Sequence, residues 1–336
     1  MREALLYEKT VDGKVHCRLC SHYCTISPGK RGICSVRENR DGMFYSLVYG
    51  KLVSRNVDPI EKKPIFHLSP GSKSYSIATA GCNFKCLHCQ NFEISQYPRE
   101  HPDIPGHETT PESVVNEAVN NGCHSIAYTY TEPTIFFEFA YDCAQLARKR
   151  GLRNVFVSNG YTAPEATRMI APYLDANNID LKGDDDFYKR VAGGSLQPVL
   201  DTIKLMKEYG VWVEITTLII PGLNDSEEFL RWTAEFIRSV DPAMPWHVTA
   251  FRPTYRLMDT PSTSLSVLRR ARQIGLAAGL KYVYEGNVPG EGGENTWCPE
   301  CGELLIERCG FSLAAVKIIG GKCTKCGTLI EGIDMP

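Results

Sequence analysis

From about residue 74 onward, short runs dense in β-branched and aromatic residues alternate with longer stretches whose apolar positions recur with the helical period. The short runs predict strands at 74–80, 124–130, 154–158, 176–182, 211–220 and 246–251, with a further one at 282–285. The longer stretches predict helices at 111–121, 134–150, 163–173, 198–209, 226–239 and 264–279. In 134–150, Ile135, Phe136, Phe139, Ala140, Cys143 and Leu146 form a single apolar stripe. Thr110-Pro111-Glu112 reads as a helix N-cap with proline at the first helical position. Gly151 and Gly210 stand where helices end in a left-handed residue. Repeated strand–helix units build a parallel sheet with right-handed crossovers. About six such units predict an α/β protein with a partial (β/α)6-type TIM barrel rather than a full eight-fold one.

The pattern fails at both ends. Three units follow: a cysteine-rich module over 1–70, the partial barrel over 71–290, and a zinc-ribbon-like domain over 291–336. With 43% hydrophobic and 23% charged residues, the chain is expected to fold, and disorder is excluded. No stretch has the ~18 consecutive apolar residues of a membrane helix, and the start lacks the apolar core of a signal peptide. A cytoplasmic, non-membrane protein is expected. The net charge of −2 gives no global case for nucleic-acid binding.

Barrel enzymes place their chemistry at the C-terminal ends of the strands. The connection from Gly81 to about Thr110 is long for such a unit, and long loops in compact domains are usually functional. Polar residues also gather at other strand ends: Glu132, Asn159, Asp180 and Lys182. Asp180 and Lys182 are two apart, so on a strand they point to the same side, either as an interior ion pair or as part of a site.

The 14 cysteines sharpen this. In a reducing compartment, close-spaced cysteines read as metal or iron–sulfur ligands rather than disulfides. Cys82, Cys86 and Cys89 form CxxxCxxC in the long loop. Three thiolates leave one iron of a [4Fe–4S] cluster open to bind a substrate or cofactor; the alternative is a zinc site completed by His88. At the C-terminus, Cys298-x2-Cys301 and Cys323-x2-Cys326, each followed by glycine, carry a zinc-ribbon signature, although a rubredoxin-like iron site would use the same ligands. Residues 291–336 hold seven Asp/Glu against four Lys/Arg, which argues against a nucleic-acid role for this ribbon. Cys17, Cys20, Cys24 and Cys34 match no common zinc finger, and both a structural zinc and an auxiliary iron–sulfur cluster stay open for them. Cys123, Cys143 and Cys309 read as small buried apolar residues. Arg153, Tyr161 and Tyr255 are further residues that a substrate mouth could use.

The CxxxCxxC loop resembles the radical SAM superfamily. The runs CQN, YTYTEPT, VSNG, NIDLKG, VWVEITTLIIPGLNDS and WHVTAFRPTYR follow, in order, the pattern of pyruvate formate-lyase-activating enzymes. The N-terminal CRLCSHYC…GKRGICSVREN and the tail GNVPGEGGENTWCPECG resemble the radical SAM member of the AmmeMemoRadiSam system, whose partners are Memo-like and AMMECR-type proteins. The resemblance implies that Cys82, Cys86 and Cys89 hold the cluster and that S-adenosylmethionine (SAM) chelates its open iron. One electron from a flavodoxin- or ferredoxin-type donor then cleaves SAM to methionine and a 5′-deoxyadenosyl radical. Glu132 stands where activating enzymes carry the glutamate of a Gly-Gly-Glu motif that contacts the SAM amino group, here Tyr130-Thr131-Glu132. Asn91, Asn159, Asp180 and Lys182 are the further cofactor contacts it implies, with Lys182 for the SAM carboxylate and Asp180 for the ribose hydroxyls. His247 and Arg252 are candidates for the adenosine or the substrate, and Glu214 replaces an arginine of the activating enzymes.

Three functions follow as expectations. The first is a radical SAM enzyme that abstracts hydrogen from a protein or other macromolecule in the manner of an activase. The second gives the same chemistry a small-molecule target. The third is a zinc-stabilised scaffold that only binds partners.

Overall fold

The computed structural model covers residues 1–336. Its centre is one eight-stranded sheet: β1 (Ser54–Pro59), β2 (Lys73–Ala78), β3 (Ser125–Tyr128), β4 (Arg153–Ser158), β5 (Ala176–Asp180), β6 (Trp212–Ile219), β7 (Trp246–Ala250) and β8 (Val283–Gly286). The strands lie in sequence order, with β1 and β8 at the two edges. β2 to β8 run parallel, and β1 pairs antiparallel with β2.

Helices α1 (Pro111–Asn120), α2 (Phe137–Lys149), α3 (Pro164–Ile170), α4 (Gln197–Glu208), α5 (Glu227–Val240) and α6 (Leu265–Ala277) fill the crossovers, as the periodicity predicts. Thr110 caps α1 by accepting from the Ser113 N–H at 3.2 Å, and Gly151 and Gly210 follow α2 and α4 at φ +74° and +77°. No helix is long and apolar enough to cross a membrane.

β1 falls within the segment that the sequence assigns to the N-terminal module, yet it extends the main sheet. Its sequence, Ser-Arg-Asn-Val-Asp-Pro, leaves most side chains in solvent, so an edge strand here carries no apolar alternation to detect. The chain then crosses the N-terminal ends of the parallel strands. Ile60, Ile65 and Leu68 bury themselves against Ala127, Val155 and Ala176, and Pro64 accepts from Asn178 Nδ2 at 2.8 Å.

The N-terminal segment packs into the main core: Val15, Ile26, Val36 and Phe44 share a buried cluster with Ile135, Phe139 and Ala140. Arg37 anchors it, forming a fully buried two-point pair with Glu138 of α2 at 2.7 and 2.9 Å. At the other end, strands Thr296–Trp297, Leu304–Cys309 and Ser312–Val316 form a small antiparallel sheet that packs on Phe66, Tyr282 and Tyr284. Cys123 and Cys143 are buried, but Cys309 is exposed: it ends its strand on the face that alternates outward.

Candidate active site

A cavity of about 580 Å3 opens at the C-terminal ends of the parallel strands. Cys82, Cys86 and Cys89 line it, together with Asn91, Glu132, Asn159, Asp180 and Lys182. The long connection after β2 is ordered by short helical turns (Phe92–Ser95 and Tyr97–Glu100) and by a strand, His107–Glu108, pairing with Lys51–Leu52. Its cysteine loop is tied at every step. Arg99 Nη2 donates to the Cys82 and Phe84 carbonyls at 2.8 and 3.2 Å, and Gln96 Nε2 donates to Phe84 O at 3.2 Å. Lys85 N and Leu87 N donate to Ala192 and Val191.

The donor set fits an iron–sulfur cluster. Burial pushes the Cys86 thiol up to about 12 and the Cys82 thiol well above its ordinary value, so neither is a thiolate unaided. A cationic metal centre deprotonates a coordinating thiol outright and offsets that cost. His88 does not complete a single-ion site with the three cysteines, because the one group of close ligand atoms lies elsewhere, at the C-terminus. Its ring packs near Phe187, burial and then Lys182 push it down to about 3, and its Nδ1 is buried without a partner. A neutral imidazole thus faces the cavity beside the cysteines.

Glu132 is buried at the start of the turn before α2. Its Oε1 accepts from Thr134 N, Thr134 Oγ1 and Ser158 Oγ at 3.0, 2.6 and 2.8 Å, and its Oε2 accepts from Asn159 N at 2.8 Å. A carboxylate offers about four lone-pair directions, so Oε2 keeps capacity for one more donor from the cavity. Burial pushes this carboxyl up, and the hydrogen bonds oppose the shift. Asn159 Nδ2 donates to Asn83 Oδ1 at 2.7 Å, which links the strand β4 end to the cysteine loop.

Asp180 and Lys182 pair at 2.7 Å on the same side, as their spacing predicts. The Lys182 backbone is fixed from both directions: its N–H donates to Tyr188 Oη at 3.1 Å and its carbonyl accepts from Asn224 Nδ2 at 2.6 Å. Burial works against the Lys182 ammonium, but the Asp180 carboxylate outweighs it and holds the pKa above the ordinary value.

Tyr130, the first residue of Tyr130-Thr131-Glu132, takes φ +62°, a conformation that glycine adopts freely. Here neighbours impose it. Tyr130 Oη donates to Asp58 Oδ2, Asn91 Nδ2 donates to Tyr130 O at 2.8 Å, and Lys63 Nζ lies 4.4 Å from the ring centroid. Lys63 is buried with Asp58 at 2.7 Å and pushed down to about 8 by desolvation. Lys62, Lys63 and Tyr130 all line the cavity, as does Phe311 from the C-terminal hairpin. Sequence reasoning missed the lysines and Phe311, because only the fold brings segments 62–63 and 311 to the cavity wall.

Two expected contacts lie elsewhere. His247 is buried at the opposite end of the sheet, where its Nε2 meets Glu214 Oε2 at 2.6 Å and its ring stacks at 5.2 Å from Tyr284. Arg252 follows β7 as an exposed residue and does not line the cavity. Arg153 likewise begins β4 at the far end, bound to Asp175 and Asp334 at 2.9 Å. Tyr161 is buried against Phe84 and His22, and Tyr255 stacks on Phe92 with centroids 4.5 Å apart.

Cys298, Cys301, Cys323 and Cys326 bring their sulfurs within 4.8 Å of one another and could hold a metal ion. Cys298–Cys326 and Cys301–Cys323 are 3.6 and 3.7 Å apart.

Comparison with known proteins agrees with this geometry. Residues 76–233 match the radical SAM superfamily. The chain is 47% identical over 334 residues to an uncharacterized protein of Methanocaldococcus jannaschii, covering 98% of this chain and 99% of that one. It is 23% identical over 218 residues to the pyruvate formate-lyase-activating enzyme of Clostridium pasteurianum, covering 61% and 89% of the two chains. Among solved structures, SuiB of Streptococcus suis bound to S-adenosylmethionine shares the fold with a TM-score of 0.51 at 14% identity, covering 67% of this chain and 52% of SuiB.

Proposed function

Because residues 76–233 form a radical SAM domain, we propose that the chain abstracts hydrogen from a protein or other macromolecule, in the manner of an activase. A [4Fe–4S] cluster on Cys82, Cys86 and Cys89, with SAM at its open iron and one electron from a flavodoxin- or ferredoxin-type donor, supplies a 5′-deoxyadenosyl radical. The chain's own residues position and protect. Glu132 Oε2 offers its spare lone pair to the SAM amino group. Lys182 neutralises the SAM carboxylate while Asp180 accepts from the ribose hydroxyls. Asn91 and Asn159 hold the cysteine loop and the Tyr130 turn in place around them. A primary-carbon radical takes hydrogen from almost any C–H bond, so the pose of the substrate decides the outcome.

The macromolecular target rests on Phe311. It is 52% exposed, it lines the cavity, and it belongs to the C-terminal hairpin, so an exposed aromatic ring borders the cavity and offers a folded partner an apolar contact. We assign zinc to the C-terminal domain's four cysteines, because Zn–S bonds of ~2.3 Å make a tetrahedron with edges of roughly 3.8 Å, close to the two sulfur pairs. The flanking motifs support a place in the AmmeMemoRadiSam system, with Memo-like and AMMECR-type proteins as partners. We place the protein in the reducing cytoplasm, because cysteines so closely spaced read as metal ligands rather than disulfides. A small anionic metabolite is the second reading, favoured by Lys62 and Lys63 on the cavity wall.

Anaerobically reconstituted protein should form methionine and 5′-deoxyadenosine from SAM under reduction. Stimulation by a candidate protein partner supports the activase reading, and stimulation by metabolite fractions supports the second. No SAM cleavage from iron-loaded protein would leave only a binding scaffold.

A further inference from the structure

The N-terminal cysteines have no part in the reaction as derived above, yet the fold gathers them. Cys17, Cys20, Cys24 and Cys34 line a small void of about 20 Å3, walled by Ile26, Ile33, Phe44, Ile135 and the buried Arg37. Gly32 closes one side: a Cβ there would lie 3.9 and 4.0 Å from the Cys24 and Cys34 sulfurs. The C-terminal quartet behaves differently. Its sulfurs close to within 4.8 Å of one another, the arrangement of ligands around one ion, whereas neither the N-terminal sulfurs nor those of Cys82, Cys86 and Cys89 gather in that way. In a cuboidal cluster each thiolate binds a different iron, so the ligand cage is larger than a zinc tetrahedron. Charge matters too. Tetrathiolate zinc and an oxidised [4Fe–4S] centre carry the same net charge, but the cluster spreads it over a larger body, and the buried Arg37 guanidinium, whose Nε has no partner, lines the same void and offsets it.

The position of the void gives the group a task. His22 lines it, and the ring of His22 lies 4.7 Å from Tyr161 and 6.4 Å from Phe84, which in turn lines the catalytic cavity between Cys82 and Cys86. His22 Nε2 also meets the Asn83 carbonyl at 2.9 Å. The Cys34 carbonyl is so close that a Cβ at Gly81, the residue before Cys82, would lie 3.2 Å from it. On the outer side Cys20 and Cys24 are only half-buried.

We propose that Cys17, Cys20, Cys24 and Cys34 hold a second [4Fe–4S] cluster that passes single electrons to the one on Cys82, Cys86 and Cys89. A flavodoxin- or ferredoxin-type donor is oxidised by one electron as the N-terminal cluster is reduced. The same electron then leaves for the catalytic cluster, with no bond made or broken. The transfer rests on the radical SAM reading; the occupancy does not.

Occupancy is tested on the full chain carrying Cys82→Ala, Cys86→Ala and Cys89→Ala, reconstituted anaerobically with iron and sulfide beside the parent chain. The expected result is about 8 Fe in the parent and about 4 Fe in the variant, the latter with a reduced [4Fe–4S] electron paramagnetic resonance signal that SAM does not change. Iron in the parent but none in the variant, with zinc in its place, overturns the proposal and leaves the catalytic reading intact. Equal iron in both overturns the catalytic reading instead. Transfer is read in Cys20→Ser/Cys24→Ser: SAM cleavage driven by a flavodoxin donor is lost while cleavage driven by dithionite is retained. Retention of both overturns the transfer.

Discussion

The two ends of the sheet interior use similar residues to opposite effect. On β6, Glu214, Thr216 and Leu218 share one face by the two-residue period, and on β7 His247 and Thr249 do the same. Thr216, Leu218 and Thr249 line the cavity, while Glu214 and His247 lie at the far end. There the Glu214 carboxylate is filled. Glu214 takes the N–H groups of Phe66 and His67 at 3.0 and 2.8 Å, Trp212 Nε1 at 3.0 Å and His247 Nε2 at 2.6 Å. Arg308 closes the layer, buried over the Phe66 ring at 4.1 Å and donating to Thr296 Oγ1 at 2.8 Å. At the cavity, Glu132 Oε2 has a single partner and His88 Nδ1 has none. The saturated Glu214 holds the fold; Glu132 and His88 keep spare valence towards the cavity.

The largest contrast comes from deleting one group at each end. Cys86→Ala should abolish SAM cleavage, read as 5′-deoxyadenosine formed anaerobically, while the melting temperature of the metal-free protein stays near the parent's. Glu214→Ala should do the reverse. Four donors lose a buried acceptor, and the expected cost is about 3–5 kcal/mol in a denaturant titration. A Glu214→Ala protein that folds normally and fails to cleave SAM would return this residue to the cofactor.

A pH series separates the ends more finely. Burial, opposed by Glu214, pushes His67 down to about 4, and its ring nitrogens meet the Glu331 carbonyl and Tyr284 Oη at 2.6 Å. The unfolded chain binds this proton near pH 6.5, so between about 6.5 and 4 the unfolded state holds more protons and stability falls as pH falls. Glu214, whose carboxyl is held down by His247 against the effect of burial, acts in the same direction below about pH 4.3. At pH 5 the His67 contribution amounts to about 2 kcal/mol relative to pH 7. His67→Gln should flatten that slope; an unchanged slope would mean that the far end does not titrate.

The comparison also shows what could be read beforehand. All seven parallel strands and six helices were legible, because burial on both faces and one-sided burial leave different periods. The cysteine loop and the strand-end cluster Glu132, Asn159, Asp180 and Lys182 were legible because chemistry and topology coincide there. His247 was not: residue parity says that a side chain points inward, but not at which end of the interior it lies. β1 escaped because an exposed edge strand needs no apolar positions, and Lys63 because a buried ammonium is explained only by Asp58 and Tyr130, which arrive from two other segments.

The smallest effect tests the rule where it is least secure. Asp180 and Lys182 form a good ion pair, and on that evidence alone they could belong with Glu214 as structure. Their exposure argues otherwise: the Asp180 side chain keeps 34% of its surface and Lys182 13%, against 0% for Glu214. A partly solvated pair contributes about 0–1 kcal/mol to stability. Tyr188 and Asn224 hold the Lys182 backbone without its ammonium. Lys182→Ala should therefore leave the melting temperature nearly unchanged and raise KM for SAM about tenfold, the loss of roughly 1.4 kcal/mol of charge-assisted binding. Lys182→Arg should recover part of it. A fall in melting temperature with KM unchanged would instead class this pair with the far end of the sheet, and spare valence rather than charge would then be the only mark of the cavity.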